Sequence, residues 1–230
     1  HETEEVAKSN SGKTNIFQFP HLILGAIGIF VHVGAQVISI DTIIGYAGSM
    51  NIHLFEAKVF PSYTLTATII GYILGIFCIP RFFSQLTALR FCTTLGVALT
   101  LLIVFSSGEV RVFGHTADIS IWFVAMLGFA NSLIWAGLWP LALDGLGKFT
   151  KLGGSIMIMG LCGNAILPLI YGHFADTHSL RSAYWVLLPC YLYLVYYAVY
   201  GFRIRRWSLT NATKPLAPAA SSLNQQIENN

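Results

Sequence analysis

His32 with Gln36, and Asn131 with Trp135, stand four residues apart inside long apolar runs. Residues at that spacing share one face of a helix. An amide side chain offers both a hydrogen-bond donor and an acceptor, which suits a ligand rich in hydroxyl groups. An indole beside it offers a flat apolar surface on which a ring can lie. Asn164 adds a third amide, in the stretch Gly160-Leu161-Cys162-Gly163-Asn164, and Pro168 four residues later predicts a kink. Polar groups deep in an apolar run face a bundle interior or a water-filled cavity rather than hydrocarbon. Gln36, Asn131, Trp135, Asn164 and His32 are therefore the candidate substrate-binding residues. Gly25, Gly28, Ala35 and Ser39 extend the His32 face, and such small residues also allow close helix packing. Asp41 lies nearer the end of its run, where water reaches a carboxylate.

The elements that must position these side chains are long and apolar. The chain has 230 residues, of which 55% are hydrophobic and 10% charged, with a mean hydropathy of +0.65. Soluble domains carry about 25% charged residues. Six runs stand out: Phe19 to Ala47, Val59 to Ile79, Leu86 to Ser106, Ile119 to Leu143, Gly154 to Ala175 and Ala183 to Phe202. Each is long enough to cross about 30 Å of hydrocarbon as a helix. Runs this continuous are not the alternating strands of a membrane barrel. The expectation is an all-α membrane protein with six transmembrane helices. Residues 1–18 read as a cytoplasmic linker, 19–206 as the transmembrane bundle, and 207–230 as a disordered cytoplasmic tail rich in Ser, Asn, Gln, Pro and Ala.

Orientation follows from the loops, because Lys and Arg concentrate on the cytoplasmic side. One set of segments holds ten of them: Lys8, Lys13, Arg81, Arg90, Lys148, Lys151, Arg203, Arg205, Arg206 and Lys214. The alternate set holds three, Lys58, Arg111 and Arg181. Both termini are expected in the cytoplasm. Asp144 and Lys148, four apart, read as a surface ion pair.

Polarity repeats every three runs. The first and fourth carry the strongest mid-depth polar residues. The second carries Tyr63, Thr64, Thr66, Thr68 and Tyr72, whose threonines can bond back to their own helix. The third and sixth lack Asn, Gln, His and acidic residues, and are expected to face lipid. Two units of three helices in one bundle have opposite topology, because three is odd. That is the inverted 3+3 repeat found within each half of a major facilitator fold.

Two stretches carry a more specific likeness. Asn131-Ser132-Leu133-Ile134-Trp135 through Leu143-Asp144-Gly145-Leu146-Gly147-Lys148 resembles the tenth helix and following loop of the fucose/glucose/galactose:proton symporter family of the major facilitator superfamily. Gly163-Asn164-Ala165-Ile166-Leu167-Pro168, followed by Ala175-Asp176-Thr177-His178-Ser179-Leu180-Arg181-Ser182-Ala183-Tyr184, resembles the same family. The loop after the second run departs from the common facilitator pattern: in Gly75-Ile76-Phe77-Cys78-Ile79-Pro80-Arg81 only a glycine and an arginine remain. The resemblance implies the C-terminal half of a twelve-helix sugar transporter in the bacterial inner membrane. The polar segment from His1 would then be the remnant of a central loop. Its partners would be a sugar, protons, the lipid bilayer and a missing N-terminal six-helix half. Proton-coupling carboxylates would lie in that absent half, with Asp41 the acidic candidate within a helix here.

Other classes find little support. Ser155 lacks a nucleophile-elbow pattern, and HExxH is absent. The seven histidines and four cysteines show no metal-ligand spacing, so neither a metal nor a cofactor is expected. The scattered Lys and Arg form no stripe for nucleic acid. A channel, or an assembly subunit without carrier activity, remains the alternative.

Overall fold

The structure, a computed structural model, describes residues 15–79 and 81–205. The tail 207–230, and the linker 1–18 apart from its last four residues, fall outside them. Six helices among the described residues are long and apolar enough to cross a membrane: α1 (Pro20–Asp41), α2 (Leu54–Cys78), α3 (Gln85–Phe105), α4 (Ile119–Leu143), α5 (Gly147–Thr177) and α6 (Leu180–Val199). Several ends are set by local chemistry. Pro20 opens α1, where its missing N–H is no loss. The side chains of Ser84, Asp118 and Ser179 cap α3, α4 and α6 by accepting from the backbone N–H groups of Thr87, Ser120 and Ser182. Two helices are interrupted. α4 breaks at Leu133, between Asn131 and Trp135, and α5 tightens into a 3-10 turn over Gly160–Cys162. Pro168, where the kink is expected, sits inside the unbroken stretch Gly163–Thr177.

Packing obeys one exchange rule. α1 packs against α4, α5 and α6, while α4 packs against α1, α2 and α3, and α3 packs against α6. Exchanging α1 with α4, α2 with α5 and α3 with α6 returns the same pattern. This is the inverted 3+3 repeat in three dimensions.

Close approaches occur at both exchanged crossings. At the α5–α1 crossing, a Cβ on Gly163 would overlap the Phe30 carbonyl. At the α2–α4 crossing, a Cβ on Gly128 would overlap the Thr64 carbonyl. Each glycine lets two backbones touch where no other residue fits. On the α3–α6 pair, Arg90 near the start of α3 donates through Nε to the Ala198 carbonyl at the end of α6, at 3.0 Å. Reciprocally, Arg181 near the start of α6 donates through Nε to the Ile103 carbonyl near the end of α3, at 3.0 Å. Cations there complement the partial negative charge of a helix C-terminus.

Burial corrects one expectation. The buried share of the apolar stretch is 56% in α4 and 50% in α1, which places both at the centre. It is also 50% in α6 but only 28% in α2 and in α5. The least covered helices are thus α2 and α5, not α3 and α6. Tyr184, Tyr191 and Tyr197 of α6 are fully buried, each with its hydroxyl engaged. A tyrosine is apolar enough for an interior and still polar enough to tie helices together.

A two-stranded antiparallel hairpin, β1 (Glu109–Val112) with β2 (His115–Asp118), joins α3 to α4. Phe113 and Gly114 form its turn with φ of 51° and 87°, the left-handed pair that a tight two-residue hairpin needs. Phe113 stacks on Tyr63 at 5.5 Å, and Trp122 packs on both Tyr63 and Phe60. The hairpin marks one end of the bundle. The other holds the first and last described residues, where Arg205 Nη1 lies 3.3 Å from His21 Nε2.

Candidate functional site

α1 and α4 cross at the centre of the bundle, and a polar chain runs across that crossing. The Tyr191 hydroxyl of α6 donates to Asn131 Oδ1 at 2.9 Å. Asn131 Nδ2 donates to Ser39 Oγ of α1 at 3.4 Å. Ser39 Oγ in turn donates to the Gln36 carbonyl at 2.7 Å. Asn131 is 1% exposed and Ser39 and Tyr191 are 0% exposed. The Asn131 side chain is therefore engaged within the half-bundle, and in this conformation it does not reach the surface expected to meet a ligand.

His32 is fully buried as well, and neither ring nitrogen has a hydrogen-bond partner among the described residues. One turn further along α1, Gln36 is half-buried. Its position can be read from the contacts of its helix. α1 meets α5 through Phe30 and Gly34, and meets α4 and α6 through Gly28. Gln36 occupies the sector between those two sets of contacts. Trp135 is half-buried on α4, with its ring 5.6 Å from that of Trp139. Asn164 is exposed on α5, next to Gly163, where an added Cβ would overlap α1. Gln36, Trp135 and Asn164 thus stay accessible on the three helices around the α1 crossings, while Asn131 and His32 lie behind them. Asp41 is exposed at the hairpin end of α1.

The back-bonding threonines of α2 are as the sequence suggests. Thr64, Thr66 and Thr68 donate to the carbonyls of Phe60, Ser62 and Thr64. The Asp144–Lys148 pairing is not formed. α4 ends at Leu143, and Asp144 is extended, so four-residue helical spacing no longer applies. Asp144 pairs with Arg205 instead, while Lys148 lies over the Phe149 ring. The Asp144 carbonyl also accepts from Arg205 at 3.0 Å and lies 2.9 Å from His21 Nε2, tying α1, α4 and the end of α6 together.

At the hairpin end, Asp118 pairs with Arg181 at 3.1 Å. Partial burial works against the Asp118 charge. Hydrogen bonds from the Ser120 side chain and from the Ser120 and Gly108 backbones, with the Arg181 charge, outweigh it and hold the carboxyl below the usual range.

The sequence places Ser39 among the small residues that extend the His32 face, and Tyr191 is not singled out in the tyrosine-rich sixth run. The signal for Ser39 is its seven-residue spacing from His32, two turns along one face. Among the described residues no cluster of His, Cys, Asp and Glu could hold a metal ion. Two apolar crevices open between helices, one among α2, α3 and α4 and one among α1, α5 and α6. None of the candidate residues lines either.

No family model matches the chain. It is 30% identical over 207 residues to a glucose/galactose transporter of Brucella abortus, an alignment that covers 86% of this chain and 46% of that protein. The chain thus spans about half the length of the curated relative it matches. Among solved structures, it superposes on the fucose:proton symporter of E. coli with a TM-score of 0.69, at 21% identity, over 77% of this chain and 42% of that one. A peptide transporter superposes with a TM-score of 0.64, at 16% identity, over 98% of this chain and 47% of that one. The fold is that of one half of a transporter of the major facilitator type, in a multi-pass membrane protein.

Proposed function

We propose, from a chain that has half of the major facilitator fold and resembles glucose/galactose transporters, that it supplies the C-terminal half of a sugar carrier. The substrate class is a hexose or 6-deoxyhexose such as glucose, galactose or fucose, moved together with protons by alternating access. A second six-helix half would complete the site. The observation that carries this reading is the division of polar residues. Gln36, Trp135 and Asn164 remain accessible beside the central crossing, while Asn131 and His32 are buried behind them. The sparse cover on α2 and α5 supports a further body packed beside them. With both termini cytoplasmic in the cell membrane, as the Lys and Arg distribution requires, the hairpin faces the outside.

In this reading the Gln36 and Asn164 amides bond to sugar hydroxyls, and Trp135 lies against the apolar face of the ring. Asn131 sets the height of α1 through Ser39. Each neutral hydrogen bond contributes about 1 kcal/mol net, so the site binds weakly enough to release its cargo. The test is uptake of labelled glucose, galactose and fucose by the full-length protein in proteoliposomes. Saturable uptake of at least one sugar, raised by an imposed inward proton gradient, is expected. No uptake of any of the three above protein-free vesicles overturns the reading.

A further inference from the structure

The two apolar crevices are related by the exchange of helices. One lies among α2, α3 and α4, with a volume of about 270 Å³. The other lies among α5, α6 and α1, with a volume of about 430 Å³. Exchanging α1 with α4, α2 with α5 and α3 with α6 turns one into the other. They run towards opposite ends of the bundle. The first reaches Cys78, Ile79 and Phe83 at the α2–α3 turn. The second reaches Phe174 and Trp185 on either side of the α5–α6 turn, at the hairpin end. The surface lining the first is apolar throughout, so it favours a hydrocarbon group over water.

The two ends differ in charge. The α2–α3 turn carries Arg81, which is exposed. The backbone N–H groups of Arg81, Phe82 and Phe83 donate to the Cys78 carbonyl at 3.3, 2.8 and 3.1 Å. These bonds hold Arg81 at the end of the crevice, between the lining residues Ile79 and Phe83. From Ala57 to Gly108 the sequence has no Asp or Glu. Among the described residues the ion pairs belong to His115, Arg181 and Arg205, and none to Arg81. Arg90 is engaged with the Ala198 carbonyl. α3 begins at Gln85 and adds the partial positive charge of a helix N-terminus to the same end. At the α5–α6 turn, in contrast, Arg181 is already neutralised by Asp118 at 3.1 Å.

We propose that the α2–α3–α4 crevice binds one anionic phospholipid, with an acyl chain in the apolar slot and the phosphate at Arg81. A basic group at the mouth of a slot between helices, on the cytoplasmic side, is the arrangement that such head groups favour. A zwitterionic lipid fills the slot equally well but brings no net charge to an uncompensated guanidinium. Leu133, where α4 is interrupted, lines the crevice, so the lipid touches the central helix at its break. The choice of leaflet rests on the orientation given above. The sugar reading is not required, and lipid binding is measured without transport.

The experiment titrates delipidated full-length protein in detergent with dioleoyl phosphatidylglycerol or dioleoyl phosphatidylcholine and counts bound lipids by native mass spectrometry. Wild type is compared with Arg81→Gln, with Ala88→Trp, which fills this crevice from α3, and with Val186→Trp, which fills the other. In wild type the first phosphatidylglycerol is expected to bind at least fivefold tighter than phosphatidylcholine. Arg81→Gln brings the two lipids within about twofold of each other. Ala88→Trp weakens both at least fivefold, and Val186→Trp behaves as wild type. Equal affinity for the two lipids in wild type, as when a second half covers the crevice, overturns the proposal. So does selectivity unchanged in Arg81→Gln, or a loss in Val186→Trp that matches Ala88→Trp. Arg81 is exposed, so its variant decides the matter even where Ala88→Trp does not fold.

Discussion

Tyr191 donates to Asn131 at 2.9 Å, and the pair is enclosed, with Asn131 1% and Tyr191 0% exposed. α6, read from its composition as a lipid-facing helix, thereby holds the polar centre of α4. Interhelical hydrogen bonds in membranes average about 0.6 kcal/mol and reach about 1.7. Tyr191→Phe is expected to destabilise the bundle by an amount in that range. Asn131→Ala should be more harmful, because it strands the Tyr191 hydroxyl and removes the link to Ser39, which keeps its bond to the Gln36 carbonyl. A double-mutant cycle on reversible unfolding in mixed micelles measures the pair. Additive single effects would show that the bond contributes nothing.

The two tightest helix crossings make a prediction about one glycine each. Gly163 and Gly128 lie at the two exchanged crossings, Gly163 on the outer helix α5 against α1 and Gly128 on the central helix α4 against α2. Gly163→Ala and Gly128→Ala should each force the neighbouring backbone away and destabilise by about 1–3 kcal/mol. Gly45→Ala is the control, since a Cβ there meets nothing within 4 Å. Apparent melting temperatures in detergent decide the matter. No drop for either variant relative to Gly45→Ala would show that the close backbone approach at these crossings is not needed.

Asp118 links acidity to stability at the hairpin end. Its folded-state pKa lies below the ordinary value of 3.8. The stabilisation is therefore complete above that value and disappears as pH falls through the depressed folded one. Melting temperature should fall more steeply on acidification in wild type than in Asp118→Asn, the two curves converging below about pH 3.8. Parallel curves down to pH 3 would show that the Asp118 carboxylate, with its bonds from Ser120 and Gly108 and its Arg181 pairing, contributes nothing in this window.

The six spans were legible because the bilayer demands long apolar helices and the chain supplies few charges to interrupt them. The repeat was legible through Gln36 and Asn131, which mark corresponding helices. The hairpin was not read, although Val110, Arg111 and Val112 before Phe113-Gly114 carry an alternating strand and turn pattern. Phe113 is a poor residue for a left-handed turn, and its stacking on Tyr63 offsets that preference only in three dimensions. The depth of the site residues was equally hidden. His32 and Gln36 look alike on a helix face, and what separates them is how α4, α5 and α6 close around α1. The partner of Asp144 was missed because a helix end cannot be fixed from spacing, and Arg205 lies 61 positions away.

Gln36 and Asn164 are the accessible amides beside the central crossing, so sugar affinity is the quantity to measure. Equilibrium binding of labelled galactose and fucose to the full-length protein should be compared with Gln36→Ala, Asn164→Ala and the double variant. Each lost bond, at about 1 kcal/mol, weakens binding roughly fivefold, and the pair roughly thirtyfold. Affinity in the double variant equal to wild type, in folded protein that still binds sugar, would contradict the assignment and place the site elsewhere.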